Sequence, residues 1–417
     1  MRIAFIVTSF PTLSGTFILD KITGLLARGH QVDVFAERAG DLDRLHPDVR
    51  RHGLLERTYC SHMPGNMAVR YARGLALFLV HVWRHPRAVL QSLNVFRYGE
   101  LSASLVLLYG AIPLLGRRSY DIISCHFGPN GLKGAFFIEA GLIEGRLVTH
   151  FYGYDLNVYP RRRGPRVYDR LFRVVDLCLP ISTFLADRAV ALGCPVEKLV
   201  RLPIGKDLSK FAYAERRPTP GGEVRILTVG RLTEVKGFEY SIRAVAKVAR
   251  KHPRVRYQIV GDGPLMGRLR RLAAELGVAD RVDFLGGCAE DRVLELYAKA
   301  HIFLLAGVVA RDGAEEGQGA VLIEAQAVGL PVVATRVGGV CEAVVDGESA
   351  FLVPQRDVDA IVDKLLHLLD HPHIWPEMGL AGRHYVEQYF DIDRLNDTLV
   401  GMLERLRTGE LDAADPP

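Results

Sequence analysis

Val224-Arg225-Ile226-Leu227-Thr228-Val229-Gly230-Arg231-Leu232-Thr233-Glu234-Val235-Lys236-Gly237 is the stretch whose reading decides the fold. A run rich in β-branched residues stops at a glycine, and a polar turn then opens the amphipathic stretch Phe238–Lys251. Moving outward, the same change of period recurs. Val255–Val260, Val282–Phe284, Ile302–Leu305 and Pro331–Ala334 read as strands, with helices at Leu265–Leu276, Asp291–Ala298 and Ala320–Val328 between them. The N-terminal half has its own series: strands at Ile3–Thr8, Gln31–Ala36, Asp121–Cys125, Leu147–His150 and Leu177–Ile181, and a helix from Thr16 to Arg28. Alternation of this kind predicts parallel sheets covered on both faces by helices.

The seam Arg216-Arg217-Pro218-Thr219-Pro220-Gly221-Gly222 has the composition of a linker. The pattern therefore predicts two Rossmann-like α/β domains facing across a cleft. They are residues 1–207 and 223–385, joined by 208–222, with a helix over 386–407 returning to the first domain and a disordered tail over 408–417. The 417 residues suffice for large cores without disulfides or metals. The six cysteines lack C-x-x-C spacing, which argues against a zinc site and a secreted disulfide framework and for a reducing cytosol. The first apolar run is too short for a signal peptide. The runs Gly74–Trp83 and Leu105–Leu115 are too short to span a bilayer.

Net charge is +5, and the stretch from Arg51 to Arg118 alone carries +7, from nine arginines against Glu56 and Glu100. That stretch also holds both apolar runs. Arg70, Arg73, Arg84 and Arg87 in this setting predict contact with an anionic membrane surface. The alternative is an insertion whose apolar side packs on its own domain while the arginines are solvated. Nucleic acid is not expected, since no recognition module accompanies the charge.

Glu316-Gly317-Gln318-Gly319-Ala320-Val321-Leu322-Ile323-Glu324 places two carboxylates around a glycine turn and the start of an apolar helix. Helical rise makes that spacing roughly 12 Å, about the span from a sugar across a pyrophosphate to a ribose. By itself such a pair is more often an ordinary surface pair. Free N–H groups at Gly319 and its neighbours suit phosphate oxygens. Arg231 and Lys236, at a strand's carboxyl end, would meet the charge on a departing nucleoside diphosphate. Gly261-Asp262-Gly263-Pro264 closes the next strand.

With Gly329-Leu330-Pro331-Val332-Val333-Ala334-Thr335 and Gly338-Gly339, these stretches make the second half resemble glycosyltransferase family 4. That is a family of GT-B fold whose members are retaining and metal-independent. Phe10-Pro11-Thr12-Leu13-Ser14-Gly15-Thr16-Phe17-Ile18-Leu19, Gly29-His30, His126-Phe127-Gly128 and Gly153-Tyr154-Asp155 make the first half similar to colanic acid and amylovoran exopolysaccharide enzymes. The resemblance implies that Arg231 and Lys236 hold the diphosphate, Glu316 the donor sugar and Glu324 the ribose. Gly230, Gly261, Gly317 and Gly319 would lie along the donor, and Gly15 would admit the first domain's backbone to the β-phosphate. Relatives often carry an acidic residue where Gly15 stands. Many also place a histidine directly before Gly-Tyr-Asp to contact the donor sugar. Here that position is Tyr152, so the role falls to His150, Tyr152 or His126. Asp155 is grouped with the acceptor side, and Arg161-Arg162-Arg163 is either an acceptor contact or a solvated run.

The implied function is transfer of a hexose from a UDP- or GDP-sugar to a lipid-linked or polysaccharide acceptor, by front-face substitution, in the cytoplasm at the inner face of the membrane. No cofactor and no metal are expected. The D-x-D triplets at Asp41, Asp357 and Asp391 do not follow strands as a metal site would require. Two rivals remain. An NDP-sugar epimerase on the same fold would need an elimination base and no acceptor. A non-catalytic nucleotide-sugar-binding partner would be expected to lack one of Arg231, Lys236 or Glu316.

Overall fold

The computed structural model describes residues 1–12, 16–40, 45–116, 119–218 and 221–410. Gly15, the triplet at Asp41–Asp43 and the tail beyond residue 410 lie outside the described residues. The chain divides into two compact units. One comprises Met1–Pro180, Ala186–Leu202 and Asn396–Pro417; the other comprises Ile181–Leu185 and Pro203–Leu395.

The first unit is built on a six-stranded sheet of β1 (Arg2–Phe10), β2 (Gln31–Ala39), β3 (Thr58–Cys60), β4 (Ser119–His126), β5 (Glu144–Phe151) and β6 (Leu177–Pro180). Their order is β3-β2-β1-β4-β5-β6, and every pairing is parallel. The second unit repeats the plan with β7 (Val224–Val229), β8 (Val255–Val260), β9 (Val282–Gly286), β10 (Ile302–Leu305), β11 (Val332–Thr335) and β12 (Ala350–Val353). Their order is β12-β11-β10-β7-β8-β9, again parallel throughout. In each sheet the order reverses beside the first strand, between β1 and β4 and between β7 and β10. Such a switch point opens a crevice at the carboxyl ends of the strands, where ligands of open α/β sheets bind.

The near-continuous apolar runs follow from burial on both faces. Ile226, Ile302 and Leu304 point into one core with helix Phe238–Lys251, whose Phe238, Ile242, Val245 and Val248 form its inner stripe. Leu227, Phe303 and Leu305 alternate into the opposite core with Leu322 and Ile323. Ile242 is fully buried, so Ile242→Ala would cost about 2–5 kcal/mol. β3 and β12, each short, are the strands that the sequence pattern did not announce. From Asn396 onward the C-terminal helix Ile392–Thr408 belongs to the first unit, where it meets helix Thr16–Ala27. A Cβ at Gly24 would stand 2.1 Å from Asn396 Nδ2, and Arg28 Nε donates to Asp397 Oδ1 at 2.6 Å.

Candidate functional site

In the second unit the loops leaving β7 and β10 are sewn together at the switch point. Gly237 has φ 64°, and a Cβ there would stand 1.7 Å from the Ala306 carbonyl oxygen. Only glycine allows both that backbone and that approach. Val308 N donates to Val235 O at 3.0 Å across the same seam. The join carries Lys236 to Glu316: Nζ lies 2.5 Å from Oε2, and each side chain is 16% exposed. These residues are 80 positions apart in the chain.

Glu316 is positioned from behind. Gly339 N donates to Glu316 O at 2.9 Å, and a Cβ on Gly339 would stand 1.9 Å from Gly317 O. The buried Gln318 accepts from Ile204 N at 2.8 Å and donates to Ile204 O at 2.9 Å, clamping the turn. Gly319, at φ 81°, then starts helix Ala320–Ala327 with no side-chain cap. Leu322 N donates to Gly319 O at 2.8 Å, so the N–H groups of Ala320 and Val321 lead the helix, with the positive end of its dipole behind them. Gly230 and Gly261 end β7 and β8 side by side, Gly230 N donating to Val260 O at 2.9 Å. Arg231 is exposed on the same loop as Lys236.

Glu324 sits on the helix with both oxygens engaged. Lys206 Nζ is 2.5 Å from Oε1, and the Tyr297 hydroxyl donates to Oε2 at 2.9 Å. Burial and the neighbouring carboxylate push the Tyr297 phenol well above its ordinary value, so it stays a donor. A carboxylate has about four acceptor positions, so this one retains capacity for further donors. The sequence reading missed Lys206 and Tyr297, because nothing local marks residues that meet Glu324 only through the fold.

In the first unit, His126 ends β4 and His150 lies near the end of β5, beside the other switch point. Both rings are sealed, at 0% and 2% exposure, and stack with centroids 4.5 Å apart. Tyr152, just beyond β5, is half-buried; its hydroxyl lies 2.7 Å from His126 Nδ1. Phe17 and Phe127 pack on its ring at 4.5 and 4.8 Å. Lys21 was also missed, although it falls on the inner stripe of its helix with Ile18, Ile22 and Leu25. A lysine among apolar residues at that spacing was the available signal. Asp155, grouped with the acceptor side on sequence, is wholly buried. Its carboxylate accepts from Gly128 N, Tyr152 N and Gly153 N at 3.1, 3.1 and 2.8 Å, and burial raises it to about 6.

Helix Met67–His81 buries only Gly74. Leu75, Leu79 and Trp83, spaced one turn apart, are 61%, 56% and 87% exposed. Arg73, Arg84 and Arg87 are exposed, Arg87 donating to Glu139 O at 3.3 Å, and Arg70 is tied to Pro64 O and Ser104 O. Among the described residues no helix is long and apolar enough to cross a membrane.

Residues 209–384 match the family described as glycosyl transferases group 1. WcaL of Salmonella typhimurium, provisionally assigned as a colanic acid biosynthesis glycosyltransferase, is 32% identical over 413 residues, covering 97% of this chain and 100% of WcaL. AmsK of Erwinia amylovora, an amylovoran biosynthesis glycosyltransferase, is 32% identical over 412 residues, with 97% and 100% covered. Among solved structures, HepE of Anabaena in complex with UDP and glucose matches at a TM-score of 0.71 and 19% identity, over 97% of this chain and 99% of HepE.

Proposed function

Because the chain belongs to the group 1 glycosyl transferases and has their GT-B fold, we propose that it moves a hexose from a UDP- or GDP-sugar to a lipid-linked or polysaccharide acceptor in exopolysaccharide biosynthesis. The observation that carries this reading is the pairing of Lys236 with Glu316 at the β7/β10 switch point, followed one short helix later by Glu324 in its Lys206–Tyr297 cradle. Placed there, a nucleoside diphosphate would set its phosphates against Lys236, Arg231 and the uncapped N–H groups after Gly319. Its ribose hydroxyls would donate to Glu324. Glu316 would accept from hydroxyls of the donor sugar, with Gly317 lying along it.

Transfer breaks the bond from the anomeric carbon to the phosphate oxygen and forms the bond to the acceptor oxygen on the same face. The acceptor's hydroxyl proton passes to the departing phosphate. Charge growing on that phosphate is met by Lys236 and Arg231, which stabilise the transition state more than the ground state. Fixed cations of this kind support a reaction without a metal ion. On the first unit, Tyr152 is the accessible member of the His126–His150–Tyr152 group, which favours it as the contact to the sugar.

The exposed stripe Leu75–Leu79–Trp83 and the arginines around it support a peripheral seat on an anionic membrane, where lipid-linked acceptors reside. The functional test supplies radiolabelled UDP- and GDP-hexoses with lipid extract from a polysaccharide-producing bacterium. Label should move into the lipid or glycan fraction, with the donor's anomeric configuration kept and EDTA without effect. Inverted product, or no transfer from any donor, would overturn the reading.

A further inference from the structure

Five polar side chains form an unbroken chain inside the first unit. Lys21 Nζ lies 3.2 Å from His150 Nδ1, and His150 Nε2 lies 3.1 Å from Ser124 Oγ. Ser124 Oγ lies 3.4 Å from His126 Nε2, and His126 Nδ1 lies 2.7 Å from the Tyr152 hydroxyl. Lys21, Ser124, His126 and His150 are all buried, and among the described residues no carboxylate pairs with Lys21. We propose that Lys21 sets the direction of this chain, so that Tyr152 presents its hydroxyl as a hydrogen-bond donor to an oxygen of the bound sugar. The identity of that sugar rests on the function proposed above.

The direction follows from counting protons. An ammonium can only donate, so His150 Nδ1 must accept from Lys21. A neutral imidazole carries one N–H, which places the His150 proton on Nε2, donating to Ser124. Ser124 then has one proton of its own and, among the described residues, one remaining neighbour, His126 Nε2. If His126 instead kept its proton on Nε2, the Ser124 hydroxyl would be buried without an acceptor, which is strongly disfavoured. His126 therefore carries its proton on Nδ1 and donates it to the Tyr152 oxygen. The Tyr152 proton is left to point outward.

Burial brings Lys21 down to about 7 and, with the Lys21 charge, holds both histidines well below the usual imidazole value. At pH 6 the chain thus holds one ammonium and two neutral rings. The Tyr152 ring is fixed from three sides, by Phe17, Phe127 and the Lys21 ammonium 5.6 Å from its centre. Lys21 is a positioning residue: it reaches the ligand only through the chain. An acceptor in its place would reverse every link and turn Tyr152 into an acceptor.

The test reads tautomers directly by long-range proton–nitrogen NMR of the full chain labelled in histidine, at pH 6. His150 should carry its proton on Nε2 and His126 on Nδ1. In Lys21→Glu both assignments should exchange. Should Lys21→Glu fail to fold, Ser124→Ala provides the second arm: it cuts the chain, and His126 should lose its single tautomer while His150 keeps its own. Wild-type His126 protonated on Nε2 would overturn the proposal. In hexose transfer, Tyr152→Phe should lower turnover about tenfold, and Ser124→Ala should lower it less and add nothing in the Tyr152→Phe background. Additive losses, or a Tyr152→Phe variant with wild-type turnover, would also overturn it. Wild-type protein that transfers no hexose would overturn instead the function on which the sugar contact rests, whatever the tautomers.

Discussion

Replacing Leu75, Leu79 and Trp83 together by serine should release the protein from anionic membranes while leaving nucleotide binding intact. Burying a large apolar side chain completely is worth about 1.5–3 kcal/mol. Scaled by exposures of 61%, 56% and 87%, the three contribute roughly 3–6 kcal/mol if all insert fully. A side chain at an interface buries about half of that area, so the expected loss is ~1.5–3 kcal/mol, or roughly 10- to 150-fold in affinity. Arg73, Arg84 and Arg87 contribute about 1 kcal/mol each at low salt, and their share fades as ionic strength shortens the Debye length. Co-sedimentation with vesicles of phosphatidylglycerol and phosphatidylcholine separates the two contributions. The triple serine variant should bind more weakly at every salt concentration. Reversal of the three arginines to glutamate should abolish binding at low salt. If wild-type protein stays in the supernatant at low salt, or the serine variant binds like wild type, this surface does not meet the membrane.

Lys236→Ala should cut hexose transfer by roughly 10²–10³ while weakening nucleotide binding less, since the cation acts mainly on charge that develops in the transition state; near-normal turnover would show that Lys236 does not serve the phosphates. Transfer should continue after dialysis against EDTA, and a complete loss restored by magnesium would overturn a mechanism resting on Lys236 and Arg231. Lys21 titrates near 7 in the folded chain and about 10.4 unfolded, so the unfolded state binds more protons between those values. Stability should therefore rise with pH across that window, by at most ~4–5 kcal/mol, and Lys21→Met should flatten the rise when urea unfolding is followed at pH 7 and pH 9. An unchanged slope in Lys21→Met would place the effect elsewhere.

Much of the second unit was legible because its strands are buried on both faces and its turns are marked. Val224–Val229 and Phe238–Lys251 stand in the structure at the residues the pattern gave, bounded by Gly230 and Gly237. β3 was not legible: a three-residue, half-buried edge strand has no period to show. The meeting of Lys236 with Glu316 could not be read from spacing, because only the β7–β10 pairing brings residues 80 apart together. The same holds for Lys206 at Glu324. The segment from Gly74 to Trp83 allowed two readings, a packed face or an exposed one. Leu77, Phe78 and Val82 turn toward Val89, Leu105 and Tyr109, while Leu75, Leu79 and Trp83 turn out, so the helix has both. Among His126, His150 and Tyr152, sequence could not rank accessibility, since two strand-end rings are covered by side chains from Phe5 and Lys21.

Calorimetry on two ligands shows whether Glu324 holds a ribose. The ligands are UDP or GDP, whichever binds, and its 2′,3′-dideoxy counterpart, each titrated into wild type and Glu324→Ala. Hydrogen bonds to a charged group are worth about 1.5–3 kcal/mol, so wild type should prefer the ribonucleotide by roughly 10- to 150-fold. Glu324→Ala should bind the two ligands alike. The same preference in both proteins, or no binding of any nucleoside diphosphate by wild type, would contradict the account.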